Sequence, residues 1–262
     1  MKVIPRRKRD DEQRTGTMTV VEHLEELRHR IIICLYAVAV GSVFGWLLYP
    51  HFMSLIRAPF CDYILANPSL APPTKCDLVY SGVLDGMLVK IKVVVFLGLG
   101  IALPVVLYQI WGFVAPGLTA KEKRYSIPFV ASSCVLFFLG AVVAYLMLPK
   151  GLGFLLGFAG QGVVPLLTID RYVGFVTLVA LAFGLSFLFP IFLVFLELVG
   201  VLSPEILARN RRYSLLGISI FAAVITPSSD PYTMLAMMIP MYLFYEASII
   251  IGRFLKRQPR TV

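Results

Sequence analysis

Glu22, Glu25, Glu26, Arg28 and Arg30 crowd the stretch TVVEHLEELRHR (19–30), where a polar segment runs into an apolar one. Carboxylates and guanidiniums at such a boundary are partly desolvated and strongly oriented. Thr19 and Glu22 have the spacing of a capping box, so a helix is expected to start at about Val20. It then continues into Ile31–Tyr49, which puts the charges within about two turns of a bilayer edge at ~1.5 Å per residue. The plain alternative is helix-surface pairing. Glu26 and Arg30 stand at i,i+4 and Glu25 and Arg28 at i,i+3, pairs that contribute only ~0.2–0.5 kcal/mol each on an exposed helix.

Three further acids stand out. Glu122 lies among Lys121, Lys123 and Arg124, where an ordinary solvated loop charge is the plain reading. Asp230 sits in a Pro-Ser-Ser-Asp-Pro turn, which ordinary turn chemistry explains. Glu246 falls inside an apolar span, where an ionisable group points to function. His23, His29 and His51 all lie at membrane edges without a second ligand nearby, so no metal site is expected. No G-x-x-x-x-G-K-S/T loop is present, so ATP is not the expected energy source.

The elements that position these groups are apolar helices. The 262 residues are 58% hydrophobic and 15% charged, with a mean hydropathy of +0.83. That composition predicts an all-α polytopic membrane protein. The net charge of +9 raises nucleic-acid binding, but the basic residues flank apolar spans, and no nucleic-acid partner is expected. Spans are expected at about 31–49, 87–115, 126–148 and 172–200, with Pro50 ending the first and Pro149 closing the third. Residues 50–86 are read as a long outward loop with a short interfacial helix broken at Pro59, and 150–171 as a second outward loop. Long spans 2 and 4 are expected to kink at Pro104 and Pro190. Spans 5 (213–225) and 6 (232–251) are short, which predicts a hairpin beside which the bilayer thins.

Eighteen of the 24 Lys and Arg fall on one side of this arrangement: the N-terminal segment, the 121–124 and 209–212 loops and the C-terminus. The positive-inside rule then gives six spans with both termini cytoplasmic. The expected organisation is a disordered basic cytoplasmic tail (1–18), one six-helix membrane domain (19–252) and a basic cytoplasmic tail (253–262). Without a small-residue cleavage site, the first apolar run is read as a retained span. Cys34 and Cys134 are read as packing residues, while Cys61 and Cys76 share the first outward loop and make a disulfide candidate.

Five stretches occur in order: HLEELRHR (23–30), PVVLYQIWGFVAPGL followed by KE (104–122), FGLSFLFP (183–190), TPSSD (226–230) and IPMYLFYE (239–246). Together they resemble the TatC family, the multispanning subunit of the twin-arginine protein translocase, over essentially residues 18–255. The resemblance implies a receptor for signal peptides carrying paired arginines, in the plasma membrane, working with single-span TatA and TatB subunits and the proton-motive force. It implies a protein that is not an enzyme and uses no cofactor; self-association is also expected.

By position in the family pattern, Glu26 and Glu122 receive the arginines. Arg28 orders the helix start or neighbouring backbone, and Phe113 and Pro116 shape the loop that carries Glu122. A guanidinium offers a planar donor fork that an ammonium cannot reproduce, which gives a carboxylate site a basis for preferring Arg-Arg to Lys-Lys. Asp230 matches the family's acid at the outer tip. One departure is Leu188, where the family often carries a span-4 glutamate; Glu246 is the expected substitute. Glu197, about 13 Å further along the helix and on its opposite face, is not.

Two other function classes fit less well. A small-solute transporter would show internal repeats and charges at mid-depth, and neither is evident. An intramembrane hydrolase needs a nucleophile and a base, yet no histidine lies inside a span and no membrane-depth serine has an evident partner.

Overall fold

The computed structural model describes residues 20–66, 77–114, 126–157, 167–198, 200–226 and 230–257. Among them are seven helices: α1 (Val20–Ala66), α2 (Asp85–Val114), α3 (Ser126–Gly157), α4 (Ile169–Leu198), α5 (Pro204–Arg209), α6 (Arg211–Ile225) and α7 (Pro231–Arg257). Five of these, all but α5 and α6, are long and apolar enough to cross a membrane. The chain is therefore an all-α, multi-pass membrane protein. The 15 residues of α6 reach only about 22 Å at ~1.5 Å per residue, short of a ~30 Å hydrocarbon core. Its hairpin partner α7 is not short: its 27 residues continue to Arg257, into the stretch expected to be tail.

Two helix ends expected at prolines are absent. Helix α1 runs through Pro50 and Pro59 to Ala66, and α3 runs through Pro149 to Gly157. The short interfacial helix is thus the continuation of α1. Tertiary packing overrides the proline signal. Ile56, Phe60 and Ile64 recur every four residues and bury one stripe of the extension against Val89 and Val93 of α2, Leu148 and Leu152 of α3, and Tyr172, Val173 and Val176 of α4. Pro59 also deprives the Leu55 carbonyl of its helical donor, and the Tyr145 hydroxyl donates to that carbonyl at 3.2 Å. The Tyr172 hydroxyl donates to the next carbonyl, Ile56 O, at 2.8 Å. Pro104 and Pro190 lie inside continuous α2 and α4.

Small residues bring the long helices together. A Cβ on Gly41 would sit 2.5 Å from Gly98 O, and one on Gly45 2.8 Å from Val94 O, so α1 and α2 meet backbone to backbone. Helices α3 and α4 repeat this, with Gly140 against Phe183 O and Gly184 against the Phe137 ring. A second core of Phe183, Phe187, Ile218, Met237, Met241, Tyr245 and Ile249 joins α4, α6 and α7.

These contacts define two ends. At one, Trp111 of α2 lies 4.6 Å from Phe129 of α3 and 4.7 Å from Phe195 of α4, and the start of α1 joins them. Arg28, Arg30, Arg209, Arg211, Arg212 and Arg253 belong to the helix termini here; we call it the basic end. At the other, Val79 pairs with the start of α4 through Val79 N to Leu167 O (3.1 Å) and Ile169 N to Val79 O (3.0 Å), and Lys92 bridges to Asp170 at 2.5 Å.

Candidate functional site

The basic end holds the first sequence motif in a defined arrangement. Glu26 is on the second turn of α1, and Arg30 one turn later folds back on it. Arg30 Nε and Nη2 both donate to Glu26 Oε1, at 3.1 and 2.5 Å. The third limb of the same guanidinium crosses to α2, where Nη1 donates to the carbonyl and to the side-chain oxygen of Gln109, each at 3.3 Å. This crossing needs Gly112: a Cβ there would overlap Nη1. Both partners are largely buried, with side-chain exposures of 21% for Arg30 and 22% for Glu26.

The consequence is an asymmetric carboxylate. Oε1 carries both guanidinium contacts, whereas Oε2 is buried and has no hydrogen-bond partner among the described residues. A buried acceptor left open costs about 1–3 kcal/mol, more if charged. One turn earlier on the same face, His23 stacks on Phe113 at 4.4 Å between ring centres. The structure therefore brings Glu26 and Phe113, read from separate stretches of sequence, to one junction of α1 and α2. Arg28 is exposed on α1. Pro116 and Glu122 lie outside the described residues, as does Cys76, so the second carboxylate and the disulfide candidate with Cys61 are not placed.

The remaining acids fall elsewhere. Asp230 is fully buried at the opposite end and caps α7, accepting Thr233 N at 2.8 Å and the Thr233 hydroxyl. It is covered by Gly151, which lies on the extension of α3 beyond Pro149. Glu246 does not stand as a lone buried acid. Arg211 of α6 grips it in a fork, Nη2 to Oε2 and Nε to Oε1 at 2.8 Å each, and the Tyr242 hydroxyl adds a contact at 3.2 Å. Leu188, at the position of the usual glutamate, packs with Leu103, Leu107 and Phe137. The acid whose two oxygens are both buried and unpartnered among the described residues is Glu197, at the end of α4 against Gly252 of α7 and Pro204 of α5. Spacing from Leu188 alone excluded it; the tertiary contact with α7 is what buries it. Among the described residues no cluster of His, Cys, Asp and Glu could hold a metal.

Residues 22–240 match the family model for TatC, the Sec-independent protein translocase protein. The chain belongs to the TatC family. It is 42% identical over 238 residues to the TatC protein of Frankia casuarinae, covering 90% of this chain and 65% of that relative, so the chain spans about two thirds of that relative's length. To the Aquifex aeolicus TatC protein it is 37% identical over 248 residues, covering 94% and 99% of the two chains. A crystal structure of the twin arginine translocase receptor TatC in DDM superposes with a TM-score of 0.70 at 36% identity, covering 88% of this chain and 99% of that one. The family is one of protein translocases and not of enzymes. Neither the solute-transporter nor the hydrolase reading has a counterpart in these matches.

Proposed function

We infer that the chain is the receptor subunit of a twin-arginine translocase, and that Glu26 receives an arginine of the signal peptide. The observation that carries this is Glu26 Oε2, a buried carboxylate oxygen with no donor among the described residues, at the junction of α1 and α2. An arriving guanidinium supplies the missing donor in a desolvated setting, where charge-assisted hydrogen bonds are strong. Glu122, on the segment that follows α2, is the second receiving carboxylate in this reading. Phe113, stacked on His23, and Pro116 fix where that segment leaves α2. Arg28 orders the α1 entry.

The basic end then faces the cytoplasm of a plasma membrane, with α6 as the short fifth of six spans and both termini inside. Residues 1–18 form a basic tail, 19–252 the membrane domain, and the C-terminal residues a second basic segment. Single-span TatA and TatB subunits assemble with it, and further copies of the chain join the complex. The proton-motive force drives export of folded cargo. Asp230 and Glu246 act through the α6–α7 hairpin, one holding each end of it. Cys61 and Cys76 form a disulfide on the outer side.

The test is equilibrium binding of a synthetic Arg-Arg signal peptide to the purified full chain, against the same peptide with Lys-Lys. Native protein is expected to prefer Arg-Arg by about tenfold or more, ~1.4 kcal/mol. Glu26→Ala and Glu122→Ala should each remove that preference. Equal binding of both peptides to the native chain would reject the receptor reading.

A further inference from the structure

The Glu26 carboxylate is not a bare anion awaiting a cation; Arg30 already occupies it. The guanidinium spends two donors on Oε1 and one limb on Gln109 of α2, so its position is set from two helices at once. The pair is close to neutral as a unit. A passing ammonium or guanidinium therefore gains little long-range attraction from Glu26. What remains is one buried oxygen, Oε2, that rewards only a ligand able to give up its water and present an aligned donor. Guanidinium is planar and weakly hydrated, whereas ammonium is a compact, strongly hydrated point charge. The His23–Phe113 stack one turn away adds an aromatic face on which a planar guanidinium, unlike an ammonium, can lie.

The geometry points to Arg30 as a specificity-determining residue: it neutralises Glu26 and blocks one of its oxygens, so that an arginine-bearing peptide is accepted and a lysine-bearing one is refused. Arg30 acts here through Glu26 and need not touch the peptide. This rests on the signal-peptide reading above and adds to it a device against the wrong cation, the kind of repulsive or neutralising element that specificity commonly requires.

Arg30→Gln frees both oxygens and restores a net negative site. Lys-Lys peptide should then bind more tightly than to native protein, by about fivefold or more, and binding of both peptides should become more sensitive to salt. The Arg-Arg preference should collapse to about twofold or less. Arg30→Lys keeps the site neutral and should retain most of the preference. A residue that merely holds α1 to α2 would give the opposite pattern, with both peptides weakened together and their ratio intact.

Binding is measured on the full chain in lipid nanodiscs with Arg-Arg and Lys-Lys peptides. Tighter Lys-Lys binding by Arg30→Gln, with the ratio restored in Arg30→Lys, supports the proposal. An unchanged ratio in Arg30→Gln overturns it. Should Arg30→Gln fail to fold, Arg30→Met gives the same readout, because it also removes the charge from Glu26 while keeping an unbranched apolar stem between α1 and α2. A native protein that shows no preference at all would instead sink the receptor reading, so the two failures are distinguishable.

Discussion

Replacing Glu197 should stabilise the protein. Both of its carboxylate oxygens are buried at the α4–α5–α7 contact without a donor among the described residues. A Cβ on Gly252 would overlap Oε2, and would come within 2.9 Å of Pro204 Cγ, so the carboxylate is pressed against bare α7 backbone. An unsatisfied buried polar group costs about 1–3 kcal/mol, and an unpaired charge more. Glu197→Leu removes both orphaned acceptors while keeping apolar bulk, and is expected to gain about 1–3 kcal/mol. Glu197→Gln removes the charge alone and should gain less. At roughly 2–4 °C per kcal/mol for a chain of this size, the leucine variant should melt several degrees higher.

The assay is the apparent melting midpoint of detergent-purified protein, read by size-exclusion recovery after heating. Gly252→Ala supplies the second arm of a double-mutant cycle. It should destabilise the native chain, because the new methyl collides with Oε2, and should be better tolerated beside Glu197→Leu. A lower midpoint for both Glu197→Gln and Glu197→Leu would refute the reasoning and would mean that the carboxylate has a donor.

Three other perturbations follow from particular contacts. Gly98→Val places a side chain onto Ser42 of α1 and should abolish most folded yield, since two helix backbones would have to separate; recovery of monodisperse protein reads this directly. Tyr145→Phe leaves the Leu55 carbonyl that Pro59 freed without its hydroxyl donor, and should cost about 1 kcal/mol in the same melting assay. Glu246→Gln breaks the fork with Arg211, but the partners are 28% and 48% exposed, so the loss should be no more than about 1 kcal/mol, with Arg211→Gln adding little to it.

The long apolar helices were legible because hydrophobic runs of twenty or more residues admit few other structures. Their ends were not, and the reason is specific. Pro50, Pro59 and Pro149 each carry a local stop signal, yet α1 and α3 pass through them. For Pro59 the compensation is the Tyr145 hydroxyl, 90 residues along the chain from the Leu55 carbonyl it serves, which no local pattern reveals. The site shows the same division. The Glu26–Arg30 spacing was readable as an ordinary i,i+4 pair. Its bond to Gln109, 79 residues away, and the open Oε2 are tertiary facts. Asp230 likewise read as turn chemistry, and capping is part of what it does; its complete burial depends on the extension of α3, which the proline at 149 had concealed.

The position of Glu26 is in turn a property of the whole of α1. Its far end is anchored by Ile56, Phe60 and Ile64 and by the two tyrosine hydroxyls. Its middle is locked to α2 at Gly41, Gly45 and Gly98, where the backbones touch and leave no room to slide. Helix α2 then carries Gln109 and Gly112, about three and four turns beyond Gly98, to the place where Arg30 reaches across. A shift of α1 along α2 would therefore move Glu26 against Gln109 and break the crossing limb of Arg30 before it disturbed the pair within α1. Milder changes at the glycine contact, such as Gly45→Ala, whose Cβ would lie 2.8 Å from Val94 O, should consequently alter peptide discrimination as well as stability. Paired measurements of melting midpoint and Arg-Arg over Lys-Lys preference on that variant decide the matter: a lower midpoint with native discrimination would uncouple the site from the helix that carries it.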